Sequence, residues 1–201
     1  MQAVCWLPHY GFVVSTIDPD SPGSSSDLKE LLTPSLELDL TWAAGLPRGK
    51  LPLRVTADGR WLYRDTAIER PGLLRLLADA LLWMDGRHYL LAPEQLLAIE
   101  VEDTPFFIVS FERDEARDGL VLVSDREHRV VLDERHSLTL QALPNEAQQT
   151  PCIEVKEGLW ARLSRSCYYQ LVELANEGVY KQRPALLLAS AGSEQLLGYL
   201  D

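Results

Sequence analysis

Asp58-Gly59-Arg60-Trp61-Leu62-Tyr63 and, later in the chain, Glu157-Gly158-Leu159-Trp160-Ala161-Arg162 are the stretches that decide the fold. Each puts an acidic residue and a glycine, a pair suited to a tight hairpin turn, ahead of a tryptophan-bearing strand. The residues after each copy match as well. Ile68-Glu69-Arg70 and Leu73-Leu74-Arg75-Leu76-Leu77 come after the first copy, and Leu163-Ser164-Arg165 and Tyr168-Tyr169-Gln170-Leu171-Val172 after the second. Further on, Leu90-Leu91-Ala92-Pro93-Glu94-Gln95-Leu96-Leu97 is echoed by Leu187-Leu188-Ala189 and, after a short insertion, Glu194-Gln195-Leu196-Leu197. Repetition over this span implies two copies of one hairpin-plus-helix unit, with Trp61 equivalent to Trp160 and Arg70 to Arg165.

Around those copies the pattern extends readily. Residues 51–56 alternate as a strand, Asp58-Gly59 turns the chain, and 60–63 returns. Pro71 suits the first turn of a helix, and Leu73, Leu74, Leu76, Leu77, Ala80 and Leu81 give that helix an apolar face that runs on until Asp85-Gly86 breaks it. Six strand-like runs come next, between 88 and 141 at hairpin spacing, which reads as an antiparallel meander. After a connector at 144–151, a second hairpin and an amphipathic stretch over 166–177 rebuild the unit, and strands at 185–189 and 195–200 close it. Strands and helices are segregated rather than strictly alternating, so the expected fold class is α+β: two related hairpin-plus-helix units with an antiparallel β-meander between them. The expected division is an N-terminal extension over 1–45, an N-terminal α+β subdomain over 46–104 and a C-terminal one over 105–201. Within the extension, 11–17 reads as a strand, and a short helix starts at Asp27 after the turn-rich Ser21-Pro22-Gly23-Ser24-Ser25-Ser26.

Composition narrows the function. Thirty acidic residues against 19 basic ones give a net charge of −11. A field of that sign repels phosphate backbones, so nucleic acid is not an expected partner, though a local basic patch is compatible with it. Three cysteines, Cys5, Cys152 and Cys167, form no CxxC pair and leave one over in any pairing. That argues against a zinc site and for a reducing compartment. The apolar N-terminus lacks a basic leading region, and no window reaches the roughly 18 apolar residues of a membrane span. A cytoplasmic protein with no membrane partner is the expectation.

The residues carry a family resemblance. Asp58-Gly59-Arg60-Trp61-Leu62-Tyr63, Thr66-Ala67-Ile68-Glu69-Arg70, Pro93-Glu94 and Val101-Glu102-Asp103-Thr104-Pro105-Phe106 resemble the DG-W-Y, TPI-x-R, TPVE and VEDAPF signatures of the bacterial DUF1285 family. The similarity runs from about Leu51 to Leu200 and takes in Glu157 to Val172. It implies a two-part α+β protein with a repeated motif and a signalling or ligand-sensing role. The chain departs from the family pattern at Ala67 and Ala92, where the family has proline and threonine.

The most suggestive polar set is Arg70 with Glu94, Glu102 and Asp103. A guanidinium folded back onto the Glu102-Asp103 carboxylates would orient a loop, or frame a site for a small anionic ligand where the two halves meet. The plainer reading is that Glu102-Asp103-Thr104-Pro105 makes an ordinary turn. His9, His88, His128 and His136 lack metal-ligand spacing, Cys167 reads as a small apolar group, and neither a nucleophile elbow nor a phosphate-binding glycine loop is present. No cofactor is indicated. The function expected is a non-catalytic module that binds a small molecule or a protein partner in a regulatory role. The alternatives are a hydrolase using Glu94, Glu102 or Asp103, and a purely structural protein-interaction domain.

Overall fold

The computed structural model of the protein describes residues 43–144 and 146–200. The strand expected at 11–17, the helix expected from Asp27 and Cys5 lie outside the described residues. After a short 3-10 turn at Ala43–Gly45, the first half comprises β1 (Arg48–Val55), β2 (Trp61–Tyr63), β3 (Thr66–Ala67), α1 (Pro71–Asp79), β4 (Leu81–Met84), β5 (Arg87–Ala92) and β6 (Gln95–Val101). These six strands form one sheet in the order β3-β2-β1-β6-β5-β4, with β6 returning parallel to β1. The second half adds β7 (Phe106–Asp114), β8 (Gly119–Ser124), β9 (Arg129–Leu132), β10 (Thr139–Gln141), β11 (Thr150–Lys156), β12 (Leu159–Leu163), α2 (Arg165–Val172), β13 (Asn176–Tyr180), β14 (Arg183–Ser190) and β15 (Ser193–Tyr199). They make a second six-stranded sheet, β10-β11-β12-β7-β8-β9, and a three-stranded one, β13-β14-β15.

The expected α+β class is therefore wrong. Strands hold 54% of the described residues and helices 13%, so the fold is mainly β. The cause lies where the helices stop. The apolar face read as helix to Leu81 ends at Asp79, and Leu81-Leu82-Trp83-Met84 becomes a strand. The second helix ends at Val172 rather than 177, and Asn176–Tyr180 is a strand. A short run of consecutive apolar residues fits a helix face and a buried strand equally well, so periodicity could not separate them. Nor is there a meander lying between two units. The run from 88 to 141 is divided, with β5 and β6 completing the first sheet and β7 to β10 belonging to the second.

The repetition itself is present and longer than expected: hairpin, helix, then three antiparallel strands. It is β1-β2, α1 and β4-β5-β6 in one half, and β11-β12, α2 and β13-β14-β15 in the other. The echoed leucine runs fall on the β5-β6 and β14-β15 hairpins. Both helices bury the same short stripe, Leu73 and Leu77 on α1 and Cys167 and Leu171 on α2, four residues apart and hence one above the other. One contiguous core threads both halves, from Trp61, Leu73 and Leu77 to Phe106, Ile153, Leu171 and Leu188. Trp61 and Trp160 are not equivalent in it. Trp61 pairs with buried Val55 and is 1% exposed, whereas Trp160 pairs with Glu154 and is half-buried, its inward neighbours being Leu159 and Ala161. The register shift between Glu154 and Lys156 accompanies this change of face, as any one-residue slip in a strand does.

Candidate functional site

Two places in the fold gather charged side chains. The first is the seam between the halves, where Glu102 and Asp103 lie. There each half inserts its hairpin turn into the other. The β1-β2 turn reaches the second half: Gly59 rests on the Phe107 ring, Ala57 O accepts from Arg162 Nη2 at 2.8 Å, and Gly59 O accepts from Arg126 Nη2 at 3.2 Å. The β11-β12 turn reaches back. Gly158 rests on Trp83, and Lys156 Nζ donates to the carbonyls of Asp79 and Leu81 at 3.2 Å, covering the open C-terminal end of α1. Both glycines have positive φ, +83° and +70°, which a side chain resists. The duplicated acid-glycine motif thus marks a reciprocal lock between halves.

Within the seam, the partners of Glu102 and Asp103 are not Arg70. Glu102 accepts from Arg54 Nη1 at 2.9 Å and from Ala57 N at 2.8 Å, and the Asp103 carboxylate, its side chain 1% exposed, lies 3.7 Å from Arg162 Nη1. Arg162 also donates to Glu146 at 2.6 Å and covers the Phe107 ring at 4.5 Å. The carboxylate of Glu102 raises the Arg54 guanidinium above its usual pKa. Arg70 is exposed at the N-cap of α1, with no side-chain bond to the helix, and no described ion pair involves it. Glu94 is exposed in the β5-β6 turn. It and Glu102 flank opposite ends of β6, about 25 Å apart at strand rise, so the carboxylates of the hydrolase reading do not share a cleft. Among the described residues no three His, Cys, Asp or Glu side chains stand close enough to share a metal ion. Burial pushes the Cys152 and Cys167 thiols up to about 12 and about 11, which makes them poor nucleophiles.

The second place is a cleft of about 320 Å³ on the outer face of the first sheet, lined by Arg48, Gly49, Lys50, Asp85, Arg87, Tyr89 and Ala98. Strand geometry assembles it. Arg48 and Lys50 are two apart on β1 and so share a face; Lys50 is opposite Ala98 on β6, and Ala98 is opposite Tyr89 on β5. Arg87, two residues before Tyr89, completes the row. Tyr89 and Ala98 form the floor and belong to a small apolar cluster with Leu82, Leu91 and Leu96. Asp85 bonds Arg48 at 2.5 Å and raises its pKa further, while the Arg48 guanidinium lies 5.5 Å from the Tyr89 ring centre. Neither Lys50 nor Arg87 enters a described ion pair or side-chain hydrogen bond. The cleft therefore carries three cations against one carboxylate, in a chain whose net charge is −11. The sequence reading missed it because its residues come from three separate strands. The signal available was the alternation Arg48-x-Lys50 and Arg87-x-Tyr89.

Architecture and repeat together describe a mainly β protein of two interlocked halves, each built on a hairpin, a helix and a three-stranded meander. The chain belongs to the DUF1285 family: its N-terminal domain, a domain of unknown function, matches residues 41–104, and the C-terminal domain of the same family matches 105–196. The chain is similar to the crystal structure of a DUF1285 family protein from Silicibacter pomeroyi DSS-3, with 24% identity and a TM-score of 0.74 over 90% of this chain and 97% of that one. A DUF1285 family protein from Shewanella baltica OS155, also 24% identical, matches with a TM-score of 0.49 over 61% of this chain and 91% of its own. The first of these likenesses supports the fold alone. None of the curated proteins compared matches the chain. Among the described residues no helix is long and apolar enough to cross a membrane.

Proposed function

We propose that this protein is a non-catalytic module that binds a small anionic ligand in the outer-face cleft, and that occupancy of the cleft serves a regulatory role. The observation that carries this reading is the convergence of Arg48, Lys50 and Arg87 on one concavity of a strongly acidic chain. Like charges crowded together repel, and an anion bound among them relieves that repulsion. Arg48 is held in place by Asp85, while Lys50 and Arg87 line the cleft without a described ion pair. Arg70, Glu94 and the Glu102-Asp103 pair stand at three other places, so the reading puts the ligand in the cleft and gives Glu102 and Asp103 the task of stiffening the seam.

Thermal unfolding in the presence of inorganic phosphate, sulfate, acetate and citrate tests the proposal. A ligand that binds only the folded state stabilises it by about 2.7 kcal/mol at a hundred times its Kd. At least one of these anions is expected to raise the midpoint, and the Lys50→Ala/Arg87→Ala double variant to lose the rise. If none raises it at constant ionic strength, or if the double variant keeps the full rise, the proposal fails.

A further inference from the structure

We infer that the cleft takes a dianionic phosphate monoester, its phosphate held between the Lys50 ammonium and the Arg87 guanidinium and its organic part lying over Ala98. This rests on the anion-binding reading above and narrows it to a ligand class. Charge matching favours a dianion. Asp85 at 2.5 Å balances Arg48, while Lys50 and Arg87 have no described ion-pair partner, Glu100 on the same face of β6 forming none with either. A monocarboxylate answers one of them, whereas a phosphate monoester above its second pKa of about 6 answers both and brings three acceptor oxygens to their donors. The floor supports the rest of the molecule. Ala98, half-buried, supplies the apolar surface open below the cations, and Tyr89, 3% exposed with the Arg48 guanidinium over its ring, backs it from within the sheet. A volume of about 320 Å³ is at the small end of ligand clefts, which suits a phosphate carrying a single ring or a short chain.

The charged groups facing the bound phosphate are Arg48 and Lys50 on β1, Asp85 in the β4-β5 turn, Arg87 on β5 and, two residues beyond Ala98 on the same face of β6, Glu100. None is a histidine. His88 points to the opposite face of β5, against Trp83, and burial lowers its pKa to about 4. A change in affinity near pH 6 therefore reports the ligand's own second ionisation.

Calorimetric titration of the full chain with phenyl phosphate, benzoate and phthalate is the test. At pH 7.5 phenyl phosphate is expected to bind at least tenfold tighter than benzoate. Between pH 7.5 and 5.5 its affinity is expected to fall about fourfold, as the dianion fraction drops around a pKa of about 6. Lys50→Ala and Arg87→Ala should each remove most of this binding, and Arg113→Ala, on the second sheet, should leave it unchanged. Benzoate binding as tightly as phenyl phosphate, phthalate binding tighter than it, or an affinity flat across that pH range would overturn the phosphate inference while leaving the anion-binding reading standing. Failure of all three compounds to bind would remove both.

Discussion

Replacing Gly158 with alanine tests the reciprocal lock in the seam. A methyl group at Gly158 would sit 2.7 Å from Trp83 Cγ and 2.8 Å from Trp83 Cβ, and closer still to Cδ1. Because Cβ is among the clashing atoms, no rotamer change of Trp83 relieves the overlap, and the two turns must move apart. Overpacking of this kind costs about 1–3 kcal/mol. The φ of +70° adds about 1–2 kcal/mol for any side chain, less about 0.4–1 kcal/mol returned by the stiffer unfolded chain. Gly86 and Gly192 isolate the backbone part, since both have φ of +76° and open space where a methyl would go. Guanidinium unfolding is expected to place Gly158→Ala about 2–4 kcal/mol below the wild type and Gly86→Ala and Gly192→Ala within about 1.5 kcal/mol of it, at unchanged m-values. Adding Trp83→Ala to Gly158→Ala removes the Cγ and Cδ1 overlaps and leaves that with Cβ, so it should recover part of the steric share, a coupling a double-mutant cycle reads directly. If Gly158→Ala costs no more than Gly86→Ala, the turn does not press on Trp83 and the lock is wrongly described.

Three further outcomes rest on the same geometry. Arg162→Ala strips the guanidinium from the Asp103 side chain, 1% exposed, and from Ala57 O, and is expected to cost about 3–5 kcal/mol by denaturant unfolding; a cost below about 1 kcal/mol would mean that the seam does not need its cation. His88, held neutral by burial at a pKa of about 4, is protonated in the unfolded chain from about pH 6.5 downward. The unfolded state then binds the extra proton, so stability is present above about pH 6.5 and is lost as pH falls towards 4. His88→Gln should flatten that part of a stability–pH curve, and an unchanged slope would contradict the assignment. Cys152 and Cys167, raised to about 12 and about 11, are expected to stay unlabelled by a thiol reagent at pH 8 until denaturant is added, as peptide mass spectrometry would reveal.

Local features of this fold were legible and long-range ones were not. The strand pairs 87–92 with 95–101, 119–124 with 129–132 and 183–190 with 193–199 stand within a few residues of where alternation and turn chemistry put them, because adjacent hairpins are encoded by neighbouring residues. The parallel pairings β1-β6 and β7-β12 join distant strands, and nothing in either strand names its partner. The class was misread at Leu81-Leu82-Trp83-Met84 and at Asn176–Tyr180, where a few residues of strand looked like the end of a helix. Trp160 was misplaced because a bulge is invisible to pattern matching, although the repeat that drew attention to it is real. At the seam, Glu102 and Asp103 were identifiable as a charged junction, but their cations, Arg54 and Arg162, come from 48 and 59 residues away along the chain. The cleft was harder still. Lys50, Arg87 and Ala98 meet only after the β1-β6 pairing is known.

A crystal structure of the full chain grown with phenyl phosphate tests the anion site on the outer face of the first sheet most directly. The phosphate is expected in contact with both Lys50 and Arg87, with the phenyl ring over Ala98 and the Arg48–Asp85 pair intact. A phosphate bound instead at Arg70, or at the Arg126 and Arg162 seam, with the Lys50–Arg87 cleft holding only solvent, would contradict it.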